Sequence, residues 1–261
     1  MSFNSITFGQ DHKIYGASSN GNIYCYNYQI QKEIQKFSGH TDSVLSLAHN
    51  KDSKRLYSGG EDGTLRIFGN FKFFFSPSWI FFLSISDIDN SQQTICIDVF
   101  EGKESKNNKA SGKWVGCLEI DEKENWILTG GGDNYLGVWH SSSATLISSL
   151  ATEYNITTAT FYDSTSLIVG GNSRNISKMS IDGTNTASFE INDKERGRSV
   201  WDFQVKNDYL IAVGDCFVSI YPDLMHNHFN SIELNLFWKK NYLIFKCRFF
   251  HTIAINWETT I

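Results

Sequence analysis

The sequence contains little proline, no closely paired cysteines and no excess of positive charge. Its 261 residues include 2 prolines and 5 cysteines. Because no two cysteines form a C-x-x-C pair, the sequence does not indicate a disulfide framework or a cysteine zinc site. The 23 basic and 28 acidic residues give a net charge of −5. Such a surface lacks the electrostatic signature of an autonomous nucleic-acid binder, so we expect RNA to be contacted only through partners.

The sequence also lacks the motifs of common catalytic and cofactor sites. It contains no phosphate-binding Gly-x-x-x-x-Gly-Lys-Ser/Thr loop, no His-Glu-x-x-His helix and no Gly-x-Ser-x-Gly elbow. The first residues show no basic region followed by an apolar stretch, so we expect no secretory signal. We therefore predict a cytosolic or nuclear protein that is not an enzyme and has no catalytic residues, cofactor or bound metal.

What the sequence does contain is an internal repeat. Each unit has an alternating apolar run, a small Gly/Ser cluster, a polar turn and a second alternating run that ends on a large side chain. The clearest copies occupy residues 14–26, 39–68, 126–140, 167–179 and 209–221. From the first copy to the second, from the third to the fourth and from the fourth to the fifth the spacing is about 40 residues, which is the period of WD-type blades. The pattern predicts an all-β chain with the fold of a WD40-type β-propeller.

The repeat predicts one propeller domain over residues 1–234, with five recognisable blade units of a seven-bladed ring. We place these units near residues 3–38, 39–100, 112–152, 155–191 and 198–234. Residues 235–261 contain no clear unit, so we expect an irregular C-terminal tail.

The second unit contains an aromatic-rich segment, residues 69–86, that departs from the repeat. If these residues are omitted, Phe68 joins directly to Asp87 and the aromatic-Asp ending of a WD unit is restored. We therefore interpret residues 69–86 as an insert, and translated intron sequence is one hypothesis for its origin. A hydrophobic loop between strands is the alternative, whereas Pro77 and the short apolar run disfavour a membrane span.

Six residues lie where WD repeats have a buried hydrogen-bond network. These residues are His40, Ser58 and Asp62 in the second unit and Thr129, Asp133 and Trp139 in the third. We expect Asp62 to hold the imidazole of His40, which in turn meets the hydroxyl of Ser58. Phe68 replaces the Trp that would donate an indole N–H, so this network should stop one bond short. We predict a structural role for these residues.

One block is more specific than the general repeat. Residues 112–118, 125–132 and 136–140, and later residues 159–163, resemble the WD-repeat sixth-subunit family of the THO complex. The resemblance implies a nuclear, non-catalytic scaffold in the THO/TREX assembly, which acts in mRNP assembly and mRNA export. Its implied partners are the coiled-coil and other THO subunits, and indirectly the export DEAD-box helicase. RNA would be reached only indirectly, and no membrane is involved.

Two departures from that family leave alternatives open. The family ring has seven blades, whereas this sequence shows five units and begins in mid-pattern, so we favour the loss of two N-terminal blades over a five-bladed ring. The second alternative is functional: generic WD proteins also include substrate receptors of cullin-RING ubiquitin ligases. Such receptors carry Trp-Asp-x-Arg at the end of a third strand, where this sequence reads Trp139-His140-Ser141.

Two residues of the specific block are candidates for partner contact. Trp114 precedes a first strand, and His140 lies at the end of a third strand. Both positions can be accessible in a blade. Packing of both side chains within the blade is the alternative.

Overall fold

The computed structural model describes residues 2–50, 52–69, 93–99, 113–182, 184–190, 199–206, 209–214, 217–222, 232–239, 242–247 and 253–256. Over these residues the regular elements are β-strands arranged in five antiparallel sheets. The chain divides into two compact units, Met1–Ile156 and Thr157–Ile261. The prediction of an all-β chain is confirmed.

The first unit contains three four-stranded sheets. The first sheet has the strands β1 (Phe3–Phe8), β2 (Lys13–Ser18), β3 (Asn22–Asn27) and β4 (Lys32–Ser38). The second sheet has β5 (Val44–Asn50), β6 (Arg55–Gly60), β7 (Thr64–Phe68) and β8 (Gln93–Asp98). The third sheet has β9 (Val115–Ile120), β10 (Trp126–Gly131), β11 (Tyr135–His140) and β12 (Thr145–Ala151).

The second unit contains a four-stranded and a six-stranded sheet. The fourth sheet has β13 (Ile156–Phe161), β14 (Ser166–Gly171), β15 (Asn175–Ser180) and β16 (Asn185–Glu190). The fifth sheet has β17 (Val200–Lys206), β18 (Tyr209–Gly214), β19 (Phe217–Pro222), β20 (Ile232–Lys239), β21 (Tyr242–Cys247) and β22 (Ile253–Asn256).

The fifth sheet differs from the sequence-based expectation. The blade unit was expected to end at residue 234 and to be followed by an irregular tail over residues 235–261. Instead, β20 continues to Lys239, β21 pairs antiparallel with β20, and β22 pairs antiparallel with β21. This segment alternates apolar and polar residues too weakly for the repeat pattern to be seen in sequence. Most of the proposed insert, residues 70–86, lies outside the described residues, so its interpretation stays a prediction.

The hairpins between the second and third strands are built from residues with left-handed backbone. Gly21 and Gly63 have φ angles of 78° and 74°, and Asn134 has a φ of 63° at the matching place in the third sheet. Glycine adopts this conformation without a Cβ penalty, and Asn tolerates it better than most residues. These turn residues therefore set the strand pairing of the first three sheets.

Each junction between consecutive sheets within a unit is an apolar layer. We call the face of a sheet that meets the next sheet its following face and the opposite one its preceding face. The junction between sheets one and two combines the following-face residues Tyr15, Ala17, Ile23, Cys25 and Phe37 with Val44, Leu47, Leu56 and Phe68. Similar layers join sheets two and three, and sheets four and five. Burial of these side chains is the main source of stability for such sheets.

The sheets approach one another closely at small residues of the second strand. A Cβ atom on Gly59 would lie 2.5 Å from Cγ1 of Val115, and one on Gly170 would lie 2.6 Å from the ring of Phe203. Polar side chains reinforce the contact, because Ser46 Oγ donates to the carbonyl oxygen of Val115 at 3.2 Å. The glycines of the repeat therefore serve blade packing.

Candidate functional site

The network residues of the second sheet lie together. His40 precedes β5, Ser58 lies in β6, and Asp62 lies in the turn between β6 and β7. Nδ1 of His40 is 2.9 Å and 3.0 Å from the two carboxylate oxygens of Asp62, and Nε2 is 2.8 Å from Oγ of Ser58. A carboxylate only accepts hydrogen bonds, so the Nδ1–H of a neutral His40 donates to Asp62 and the Ser58 hydroxyl donates to Nε2.

The carboxylate of Asp62 has additional donors that the sequence did not indicate. It accepts the backbone N–H of Thr41 at 3.0 Å, and from Thr64 it accepts the N–H at 3.1 Å and the hydroxyl at 2.8 Å. Nη2 of Arg66 lies 3.7 Å away. A buried carboxylate with this many donors orders the turn around it. The arrangement holds the chain before β5 against the β6–β7 hairpin.

Burial fixes the charge states of this pair. Desolvation lowers the pKa of His40 and outweighs the opposing effect of the Asp62 carboxylate. Desolvation also opposes ionisation of Asp62, but the hydrogen bonds from His40, Thr64 and Thr41 outweigh it and lower the pKa of that carboxyl. A neutral imidazole therefore donates to an ionised carboxylate at neutral pH. Both ring nitrogens are engaged, so His40 is not placed to transfer a proton to a ligand.

The lowered pKa of His40 predicts that acid destabilises the protein. The unfolded chain takes up a proton near the ordinary imidazole value of 6.5, whereas the folded chain takes it up at lower pH. Stability should therefore fall as the pH drops below about 6.5, and loss of the Asp62 carboxylate should add to this below its ordinary value of 3.8. Urea unfolding from about pH 7.5 to about pH 5 measures the effect. His40→Gln should flatten this profile, and a rise in stability on acidification would contradict the assignment.

In the third sheet the predicted network is represented by the hydrogen bond between Trp139 and Thr129. Nε1–H of Trp139 donates to Oγ1 of Thr129 at 2.8 Å, and both residues are buried. Asp133 lies in the β10–β11 turn, where its carboxylate accepts the N–H of Tyr135 at 3.2 Å. Phe68 occupies the position of Trp139 in the second sheet, since it pairs with Leu56 as Trp139 pairs with Ile127. Its ring has no N–H, and it packs against Phe37 at 5.3 Å.

The two candidates for partner contact are half-buried. The ring of Trp114 lies over Gly116, where an added Cβ would come within 2.3 Å of it. Nδ1 of His140 lies 3.0 Å from Oγ of Ser143, and its ring meets Trp126 edge-on at 5.6 Å. Each side chain thus combines packing within its sheet with an accessible edge.

A further polar cluster joins the second and third sheets. We call it the polar junction; it consists of Ser53, Arg55, Tyr57, Glu124 and Ser141. Oε1 of Glu124 accepts the hydroxyls of Tyr57 and Ser53, each at 2.5 Å, and lies 3.5 Å from Nη1 of Arg55. Oγ of Ser141 lies 3.3 Å from the Tyr57 hydroxyl. Burial, reinforced by the hydrogen bond to Glu124, raises the pKa of Tyr57 far above its ordinary range.

Sequence reasoning missed this polar junction. Tyr57 is separated from Glu124 by 67 positions and from Ser141 by 84. The repeat relates residues at equivalent places in different units, and it does not show which turns meet across a junction. The one local signal is a tyrosine on the inner strand, whose hydroxyl needs a partner when buried.

The described residues contain no group of three or more His, Cys, Asp or Glu side chains that could hold a metal ion. Within the same part of the chain there is no helix of the length and apolar character needed to cross a membrane.

Residues 31–69 and 96–140 match the model of the WD domain, G-beta repeat. The chain carries WD40 repeats. The first match spans β4 to β7 with the His40 network, and the second includes β9 to β11 with the Trp139–Thr129 hydrogen bond. The fold class predicted from the sequence is thereby confirmed.

Several curated proteins with the same name are similar to this WD40-repeat chain. THO complex subunit 6 of Homo sapiens is 32% identical over 107 residues, which are 41% of this chain and 25% of the human protein. The Danio rerio homologue is 28% identical over 134 residues, 51% of this chain and 35% of that protein. The Arabidopsis thaliana protein is 20% identical over 161 residues, 62% of this chain and 37% of that protein. The chain thus spans a quarter to somewhat over a third of these relatives.

A solved structure is similar in fold. A chain of the structure titled "Crystal Structure of Mitotic Checkpoint Complex" aligns with a TM-score of 0.62 and 18% sequence identity. The alignment covers 81% of this chain and 60% of that chain. At this identity the likeness supports the fold alone.

Proposed function

We propose that this protein is a non-catalytic WD-repeat scaffold subunit of the THO/TREX complex. It acts in mRNP assembly and nuclear mRNA export by binding other proteins. Its partners are the coiled-coil and other subunits of the THO complex, and through them the export DEAD-box helicase. The protein is nuclear, and it reaches RNA only through these partners.

The observation that carries this proposal is the similarity to THO complex subunit 6 from animals and from a plant. In the animal relatives the similarity reaches 28% to 32% identity. Repeats of this kind occur on many unrelated proteins, so the fold alone would not select a function. The agreement among relatives named for one complex is what favours THO over other WD assemblies.

The polar groups of the described sheets support a scaffold role. Both ring nitrogens of His40 are engaged, and Asp62 accepts hydrogen bonds from His40, Thr41 and Thr64. Catalysis needs a base or nucleophile that can reach a substrate. The side chains of His40, Ser58 and Asp62 instead hydrogen-bond one another.

The charge of the chain supports indirect contact with RNA. Its net charge is −5, whereas proteins that bind nucleic acid directly concentrate Lys and Arg to neutralise phosphates. A scaffold that binds protein partners has no such requirement.

A substrate receptor of a cullin-RING ubiquitin ligase is the alternative class. The Arg of its Trp-Asp-x-Arg docking motif would lie one residue beyond Ser141. The hydroxyl of Ser141 is buried and bonded to Tyr57 in the polar junction. The end of β11 thus contributes to the contact between the second and third sheets. Because the Trp-Asp-x-Arg docking motif is missing there, the THO scaffold remains our proposal.

Affinity purification tests the proposed function. The tagged full chain is recovered from nuclear extract, and the co-purifying proteins are identified by mass spectrometry. Recovery of several THO subunits in stoichiometric amounts is the expected result. Recovery of a cullin and its adaptor without THO subunits would overturn the proposal.

A matched pair of histidine variants sharpens this test. His140→Ala removes a half-buried ring from the specific block, and we expect it to reduce recovery of THO subunits by about tenfold. His12→Ala is the control, because His12 also bonds a hydroxyl, that of Tyr28 at 3.1 Å, and also meets an aromatic ring edge-on. Equal recovery with the two variants, at equal thermal stability, would exclude His140 as a contact.

A further inference from the structure

The turn between β2 and β3 contains the one Asn-Gly pair of the sequence, Asn20 and Gly21. Asn20 is exposed, and Gly21 has no side chain to shield its backbone nitrogen. Such a nitrogen can act as a nucleophile towards the amide carbon of the preceding Asn, which closes a succinimide ring and expels ammonia. This turn therefore brings together the two reacting groups of a deamidation.

Hydrogen bonds activate the amide carbon of Asn20. Its Oδ1 accepts the backbone N–H of Asn22 at 3.2 Å and Nδ2 of Asn22 at 3.1 Å. Negative charge develops on Oδ1 when the nitrogen attacks, and donors already placed at that oxygen stabilise it. The attacking N–H of Gly21 donates to the carbonyl oxygen of Ser18 at 3.3 Å, which is long for this kind of bond. The electrophile is thus polarised while the nucleophile is held only weakly.

The leaving nitrogen of Asn20 has a partner as well. Nδ2 of Asn20 donates to the hydroxyl oxygen of Tyr24 at 2.9 Å. A phenolic hydroxyl both accepts and donates hydrogen bonds, so its O–H can turn towards this nitrogen and protonate it as it leaves. A proton donor therefore lies next to the bond that must break.

We propose that Asn20 is a site of spontaneous deamidation assisted by Asn22 and Tyr24. The nitrogen of Gly21 gives its proton to hydroxide and bonds to Cγ of Asn20, and the carbonyl electrons move onto Oδ1. The carbonyl then re-forms as the Cγ–Nδ2 bond breaks, and ammonia leaves with a proton from Tyr24, which water replaces. Water finally opens the succinimide at either of its carbonyls and leaves aspartate or isoaspartate at this position.

The modified turn faces the chain that enters the second sheet. A Cβ on Gly21 would lie 2.7 Å from the carbonyl oxygen of His40 and 3.2 Å from that of Asp42. Oγ of Ser43 also donates to the carbonyl oxygen of Ser19 at 3.4 Å. Isoaspartate lengthens the main chain, and both products add a negative charge near these carbonyl oxygens. Deamidation should therefore loosen the contact between the first and second sheets.

The second sheet provides an internal comparison. Asp62 and Gly63 occupy the equivalent turn, and the N–H of Thr64 donates to Asp62 as that of Asn22 donates to Asn20. Hydrogen bonds keep the carboxyl of Asp62 ionised. An ionised carboxylate is a poor electrophile and has no amine to expel. Asp62 should therefore stay unmodified under conditions that convert Asn20.

Tandem mass spectrometry of the full chain after prolonged incubation at neutral pH tests the proposal. We expect Asn20 to gain the mass of an amide-to-acid conversion at least about tenfold faster than Asn134, which is followed by Tyr135 in the matching turn of the third sheet. Protein-isoaspartate methyltransferase with labelled S-adenosylmethionine should label position 20 and not Asp62. The rate should increase with pH, because the nitrogen of Gly21 attacks after losing its proton.

Two variants test the assisting residues. Asn22→Ala removes the side-chain donor to Oδ1, and Tyr24→Phe removes the hydroxyl beside Nδ2 while keeping the ring. Each should slow the loss of the amide about threefold. Tyr26→Phe is the matched control, since Tyr26 lies further along the same strand, and it should leave the rate unchanged. Circular dichroism spectra that match those of the wild type show that each variant is folded.

Three results would overturn the proposal. The first is conversion of Asn20 no faster than that of Asn134. The second is a faster reaction in Tyr24→Phe, which would mean that the hydroxyl holds the amide in an unreactive position. The third is a rate that does not change with pH, which would exclude attack by the nitrogen of Gly21.

Discussion

Replacement of Gly131 by alanine is expected to lower the free energy of unfolding by about 3 kcal/mol. Gly131 ends β10, and a Cβ atom there would lie 1.7 Å from the carbonyl oxygen of Trp114. The N–H of Gly132 donates to the same carbonyl at 3.4 Å. Because the obstacle is main chain, relief of the clash requires β9 to move away from β10. Urea unfolding of the full chain, followed by circular dichroism, measures the change.

Gly116→Ala is the control for this prediction, because its clash involves the same residue but a side chain. The added Cβ would meet the ring of Trp114 at 2.3 Å. That ring is half-buried and can rotate outward, so we expect a cost of about 1 kcal/mol. Equal losses in the two variants would show that the main chain at Trp114 is not the obstacle.

Replacement of Glu124 by alanine is expected to cost about 3 kcal/mol. Its carboxylate accepts the hydroxyls of Tyr57 and Ser53 and faces the guanidinium of Arg55. Tyr57 is fully buried, so without Glu124 its hydroxyl loses its short hydrogen bond and keeps the longer 3.3 Å contact with Ser141. The loss should appear in the same urea measurement as a lower midpoint.

Glu124→Gln and Glu153→Ala complete this experiment. The amide oxygen of Gln can still accept one hydroxyl but brings no charge to Arg55, so about half of the loss should be recovered. Glu153 is exposed, and its removal should leave the midpoint unchanged within about 0.5 kcal/mol. If Glu124→Ala behaves like Glu153→Ala, the polar junction does not stabilise the contact between the second and third sheets.

The repeat predicted those features that depend on short stretches of chain. The turns at Gly21 and Gly63 adopt the left-handed backbone that such turns require. Ser58 and Asp62 both lie in one β6–β7 hairpin, so their proximity follows once the hairpin is assigned. His40 is 22 positions from Asp62 but belongs to the same sheet. The network described in the second sheet could therefore be anticipated from one unit alone.

Features that cross a junction could not be anticipated in this way. Glu124 meets Tyr57 only because the β9–β10 turn of the third sheet packs beside β6 of the second. Asp133 shows a similar limit within one sheet. The sequence predicts that it belongs to the network of Trp139, and in the structure its carboxylate accepts the N–H of Tyr135. The strands β21 and β22 lie beyond the last recognisable unit, so no repeat marked them.

The sequence by itself determined the all-β class, the strand pattern of the units and the polar set around His40. These follow from side-chain alternation and turn chemistry, which act over a few residues. Only the tertiary structure decided which faces meet and which glycines are pressed against a neighbouring strand. Packing depends on contacts between residues far apart in the chain, and their complementarity is a property of the assembled sheets.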